Sequence, residues 1–283
     1  MLSVEALRIV GFVFLFEQRP SIIDGKQCLQ QRAGQLKVNI RQFNYPGAAI
    51  SSLHNIVFHI QPGQLVGICG PTGAGKTTLL LLLQRHFDVI DGEILFQSIS
   101  LTNIQQAEWH ARLAVVNQIP FLFSDTISSN IALGKPIASQ TEIEEAARLA
   151  DVHEDILRLP NGYNTQVGEP GIMLSGGQKQ RISIAKALLL NTEILILDDA
   201  LSAVDGKTEN RILKNLRQWQ GCHTIIISAH RLSALVDSDQ ILVLQQGTIL
   251  SQGTHQRLIA KPGWYRDMHS YQQIEASLEN EHE

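Results

Sequence analysis

Cysteine is scarce in this 283-residue chain: there are three, Cys28, Cys69 and Cys222. An odd number with no metal-type spacing argues against a disulfide framework or a zinc site and for reduced, structural thiols. Charge is sparse as well, at 18% of residues, against a typical ~25%. The 23 basic and 27 acidic residues leave a net charge of −4. That balance does not suit binding driven by phosphate neutralisation, so no nucleic-acid partner is expected. Nine prolines and 21 glycines are too few for a collagen-like or low-complexity chain. Long apolar runs are missing too. The run over 9–16 has eight residues, where a membrane span needs roughly 20, and the leucine run over 79–83 is shorter. Glu5 precedes the first run and no small-residue cleavage site is evident, so neither a membrane span nor a signal peptide is expected.

What is present is apolar substance: 44% hydrophobic residues, enough for a sizeable core and against global disorder. The length corresponds to about two domains, or one large domain with a subdomain. Residues 1–36 read as a helix stub followed by a linker with Pro20, Asp24, Gly25 and Gly34. From 37 onward short apolar runs alternate with turn signals. The stretches 38–43 and 56–60, broken by Asn44-Tyr45-Pro46-Gly47, suit paired antiparallel strands. Continuous apolar strands are expected at 65–69, 94–96, 113–116, 194–197, 224–228 and 240–244, the last entering a hairpin through Gln246-Gly247. Helical periodicity marks 76–87, 141–149 and 178–190, and 119–190 has no strand signal. Apolar strands alternating with helices predict a parallel sheet covered on both faces. The fold expected is therefore α/β, with an antiparallel β portion and an inserted helical subdomain at about 119–190.

The chemistry begins at Gly70-Pro71-Thr72-Gly73-Ala74-Gly75-Lys76-Thr77-Thr78, which fits G-x-x-x-x-G-K-[ST]. Glycines let backbone N–H groups converge on phosphate oxygens, and the helix starting near Lys76 adds its positive end. In such a loop Lys76 reaches the β- and γ-phosphates and Thr77 offers its hydroxyl to Mg²⁺. A chance match in a chain this long is on the order of one in a hundred, and the strand before and helix after meet the context test. The ligands this loop suits are a triphosphate and Mg²⁺. A second strand, Ile194-Leu195-Ile196-Leu197, ends in Asp198-Asp199. Carboxylates at the C-terminal end of a parallel strand face the ligand crevice, so Asp198 suits Mg²⁺ and Asp199 suits the polarisation of an attacking water.

A third motif, Leu174-Ser175-Gly176-Gly177-Gln178, again pairs exposed backbone N–H groups with a hydroxyl at a helix start. It resembles the LSGGQ signature of ABC-type ATPases. The resemblance spans nearly the whole chain and implies a P-loop NTPase core with a RecA-like parallel sheet. By the same resemblance Tyr45 stacks on adenine, Gln118 reaches Mg²⁺ and the water, and His230 contacts the γ-phosphate. Residues 165–171 are similar to an exporter-specific loop, although Pro170 stands where arginine is usual, and 202–205 resemble the loop that crosses to a partner subunit. In this family two cassettes pair head-to-tail, so Ser175, Gly176, Gly177 and Gln178 would complete the partner's site. The segment from Gln118 to Asp125, with Phe121, Leu122 and Phe123, is either a docking surface for a transmembrane domain or ordinary core.

The resemblance thus implies an ATP-hydrolysing cassette over 37–270 that drives multidrug or lipid-like export. The stub over 1–36 would be the remnant of a membrane domain's end, and 271–283 a polar tail. The cassette would work at the cytoplasmic face of the bacterial inner membrane. One departure matters: the family's general base is glutamate, and Asp199 is one methylene shorter. A misplacement of ~1 Å can cost ~100-fold, so the chain's own site is expected to be degenerate in a heterodimer. The alternative is a binding-only remnant or regulatory module with little turnover.

Overall fold

The computed structural model describes residues 22–29, 33–168, 171–221 and 223–280. The stub expected over 1–20, Cys222 and the Pro170 departure lie outside them. Among the described residues, strands form two sheets. Strands β1 (Leu36–Phe43), β2 (Leu53–Ile60), β4 (Asp91–Phe96) and β5 (Ile99–Ser100) make an antiparallel sheet in the order β2-β1-β4-β5. The alternation in β1 turns Leu36, Val38 and Ile40 inward, as a strand with one buried face must. Its pairing with β2 runs from Leu36 opposite Ile60 to Phe43 opposite Leu53.

The second sheet joins β3 (Leu65–Cys69), β6 (Leu113–Val116), β7 (Ile194–Asp198), β8 (Thr224–Ser228), β9 (Gln240–Gln245) and β10 (Thr248–Gly253). Its order is β10-β9-β3-β8-β7-β6, parallel except for the β9–β10 hairpin. The apolar strands divide their side chains between two cores. Leu65, Leu195, Leu197, Ile225 and Ile227 enter one, while Val66, Ile68, Ile194, Ile196 and Ile226 enter the other. The sheet is therefore covered on both faces, which is why its strands carry no polar alternation.

Helix α1 (Lys76–Leu83) sends Leu79, Leu80, Leu82 and Leu83 into the core shared with the antiparallel sheet. The periodicity predicts a helix to 87, but it ends at Leu83. Arg85 takes a left-handed φ of 57° and turns its guanidinium, 1% exposed, onto the carbonyls of Ile23, Thr102 and Ile104. After α2 (Gln106–His110) and β6 come α3 (Ile127–Ala132), α4 (Gln140–Leu149), α5 (His153–Leu157) and α6 (Gly176–Leu189). These pack on the other core. Helices α7 (Gly206–Gln220), α8 (His255–Ile259) and α9 (Trp264–Asn280) follow. No described helix is long and apolar enough to cross a membrane.

Candidate functional site

The C-terminal ends of β3, β7 and β8 meet at one open cavity of about 770 Å³. On one wall β3 releases the chain at Cys69 into the loop 70–75, which enters α1 at once. Gly75 makes that entry feasible: it caps the helix with φ 101°, and a Cβ there would lie 2.6 Å from Leu53. Lys76 folds back, its Nζ donating to the carbonyls of Gly70 (2.8 Å) and Pro71 (3.1 Å). Burial pushes the Lys76 amine below its ordinary range, and Cys69, Asp199 and Asp198 pull the other way. Thr72, Gly73, Ala74, Gly75, Lys76, Thr77 and Thr78 all line the cavity, with Gly70 and Pro71 beneath.

The opposite wall comes from β7 and β8. Asp198, paired in register with Ser228, is raised above the usual carboxylate range by burial, while the Thr77 hydroxyl bonded to it works against that rise. Asp199 turns the chain with a left-handed φ of 49°, a conformation that aspartate tolerates better than most residues. Its N–H donates to the Ser228 carbonyl at 2.9 Å, and its Oδ2 accepts from Gln118 Nε2 at 3.0 Å. Gln118 and His230 also line the cavity on this side. The donor set offered to a cation is all oxygen: the Thr77 hydroxyl, the Asp198 carboxylate and the Gln118 amide oxygen. Such a set fits Mg²⁺, a hard ion, and the glycine-lined loop with Lys76 fits a polyphosphate.

The remaining site residues stand apart from this cavity. Tyr45 is not in the lining. Its hydroxyl donates to Thr78 Oγ1 at 3.0 Å, and its ring packs edge-on against Phe43 and Phe87. Ser175, Gly176, Gly177 and Gln178 form the start of α6. There Ser175 Oγ accepts from the Gln178 N–H at 3.2 Å, and Gln178 Oε1 accepts from the Ser175 N–H at 3.0 Å. Ser175 and Gly176 are exposed. So are Ile119, Phe121 and Phe123 at 82%, 66% and 48%, while Leu122 between them is half-buried and packs on the core, so the segment before Asp125 is part surface and part core. Cys69 is buried and pushed up to about 12, an inert thiol.

A third wall has no signal in the sequence: Ile50, Ser51, Ser52, His54, Gln246 and Gly247. It forms because the β9–β10 turn docks on the phosphate loop. Gly247 N–H donates to the Ala74 carbonyl at 3.1 Å, and His54 N–H to the Gly247 carbonyl at 2.8 Å. The hairpin itself was legible from Gln246-Gly247, but its docking site was not.

The ABC transporter family model matches residues 53–202. The chain is 60% identical over 266 residues to the multidrug resistance-like ATP-binding protein MdlA of Escherichia coli (strain K12), across 94% of this chain and 45% of that protein. It is 46% identical over 254 residues to the probable multidrug resistance ABC transporter ATP-binding/permease protein YheI of Bacillus subtilis (strain 168), across 89% of this chain and 43% of that one. A bacterial Atm1-family ABC exporter, solved with ATP bound, superimposes with a TM-score of 0.88 at 38% identity, over 95% of this chain and 47% of its own. The chain thus spans a little under half the length of these relatives.

Proposed function

The chain belongs to the ABC transporter family, and on that premise we propose that it is the ATP-binding and ATP-hydrolysing cassette of a multidrug or lipid-like exporter. The observation that carries the reading is the convergence of Lys76, Thr77, Gln118, Asp198, Asp199 and His230 on one open cavity. Lys76 and the backbone N–H groups of 72–77 bind and orient the phosphates. Mg²⁺, when bound through Thr77, Asp198 and Gln118, neutralises phosphate charge, and the rest is positioning. Asp199, held by Gln118, orients the attacking water and accepts its proton. His230 marks the γ-phosphate. Tyr45 supplies an aromatic surface for adenine beside the cavity.

The exposed start of α6 supports a head-to-tail pairing, in which Ser175, Gly176 and Gly177 close on the partner's phosphates. The exposed Phe121 and Phe123 suit docking of a transmembrane domain along 118–125, at the cytoplasmic face of the membrane. The short Asp199 side chain favours a slow site on this chain and a faster one completed by its signature. The test is calorimetric titration of the chain with MgATP. Micromolar or tighter binding is expected, and Lys76→Ala should weaken it by about 10- to 100-fold, the worth of a lost charge-assisted bond. Binding unchanged by Lys76→Ala would sink the reading. Tight binding with no turnover, even with a partner cassette, would favour a regulatory, binding-only role.

A further inference from the structure

We propose that Gln272 is a positioning residue for His230, through which helix α9 sets how well the cavity tells a triphosphate from a diphosphate. The inference rests on the nucleotide reading above. His230 lies just past the end of β8 and lines the cavity. Its backbone is held by one distant side chain. Gln272 Nε2 donates to the His230 carbonyl at 2.9 Å, and Gln272 Oε1 accepts from the Leu232 N–H at 2.9 Å. A neighbouring strand gives a parallel ladder this same pattern, bonding a carbonyl and the N–H two residues on. Here a single amide does it, beyond the point where the sheet has ended.

The residue between the two bonds is pinned from the other side. Arg231 Nη2 donates to the carbonyls of Leu201 (2.6 Å) and Val204 (2.9 Å), and it pairs with the carboxylate of the buried Glu209. The segment 230–232 is therefore clamped between the loop after β7 and helix α9. That helix is itself fixed. Tyr265 is 2% exposed and its hydroxyl lies 2.9 Å from His255 Nδ1, and Met268 packs on the core. Among the described residues the His230 carbonyl has no other hydrogen-bond partner, so without the Gln272 amide its peptide plane is held less firmly and the imidazole samples more positions. Only a ligand with a γ-phosphate would register the difference.

The full chain, with Mg²⁺, is titrated with ADP and with a non-hydrolysable ATP analogue. Gln272→Ala is expected to weaken the analogue by about tenfold, the worth of one to two amide hydrogen bonds, and to leave ADP unchanged. Gln272→Glu keeps an acceptor for Leu232 but sets an oxygen against the His230 carbonyl, so it should lose at least as much. Gln273→Ala, on an exposed neighbour, should match the wild type. In a His230→Ala background the Gln272→Ala effect should vanish, because the amide acts through that histidine. Equal losses for both nucleotides, an unchanged ratio, or a loss that persists without His230 each overturn the role of Gln272. A wild-type chain that binds neither nucleotide overturns the nucleotide reading itself, a result visible before any variant is made.

Discussion

Asp198 and Lys76 hold charge where burial opposes it. The Asp198 carboxyl is raised by desolvation and the Lys76 amine lowered by it. Linkage fixes the sign for Asp198. The folded carboxyl holds its proton more tightly than the unfolded one, so the fold loses stability as pH rises from the ordinary carboxylate range through the elevated value. Above that value the carboxylate weighs against the nucleotide-free fold. Asp198→Asn, close to isosteric, is therefore expected to raise the melting temperature of the nucleotide-free chain at pH 7.5. The same variant should abolish the extra stabilisation that Mg²⁺ adds to ATP. Thermal melts at pH 7.5 without nucleotide, with ATP and a chelator, and with MgATP check both halves. A lower melting temperature without ligand would show that Asp198 stabilises the empty fold. Asp198 can be singled out in the sequence only beside the Lys76 phosphate loop, because two acids after a buried strand on their own also suit a solvated turn. Arg85 is not legible in this way, because nothing in a lone arginine announces three carbonyls placed to accept from it.

At the scale of elements, strands were the most legible feature, since a run such as Ile194-Leu195-Ile196-Leu197 leaves no polar face for anything but a doubly covered sheet. What the sequence hid was long-range docking: the β9–β10 turn on the phosphate loop, and α9 on the His230 segment. The first rests on backbone groups alone, and the second on one glutamine amide meeting backbone groups. Helix α6 shows how one element serves two ends. Ser175 and Gln178 form a reciprocal capping box, and Gly177 sits so near the loop after β7 that a Cβ would lie 2.9 Å from the Ala203 carbonyl. The proposed contact with a partner's phosphate thus shares its hydroxyl with the helix cap. Ser175→Ala should cost about 1 kcal/mol of stability through the lost cap, together with the partner's turnover. Ser175→Asn should restore the cap and leave turnover impaired, since the bulkier amide replaces a hydroxyl. Chemical denaturation beside steady-state ATPase of the paired assembly separates the two roles. If Ser175→Asn recovers both, the serine is only a cap.

For the whole molecule, the decisive geometry is a division: the phosphate loop, Asp198 and Asp199 share one cavity, while the signature residues lie outside it. Under the proposed head-to-tail pairing, the signature would be used opposite another cassette's phosphate loop. That pairing would hold two kinds of site, one built on this chain's Asp199 and one on the partner's equivalent carboxylate. Asp199 is held at φ 49° with one oxygen taken by Gln118, so its reach is fixed by the backbone and cannot be regained by a rotamer change alone. Asp199→Glu adds the missing methylene. If the shortfall in length limits this site, the variant should raise the assembly's ATPase rate by about tenfold or more, within the ~100-fold that an ångström of misplacement can cost. It should leave the MgATP affinity of the isolated chain nearly unchanged. The left-handed turn works against glutamate more than aspartate, so a modest loss of stability should accompany the gain. Single-turnover rates in the paired assembly read the outcome directly. A rate that stays flat while the variant folds and binds would mean that side-chain length is not the limit, and that the two sites are equivalent.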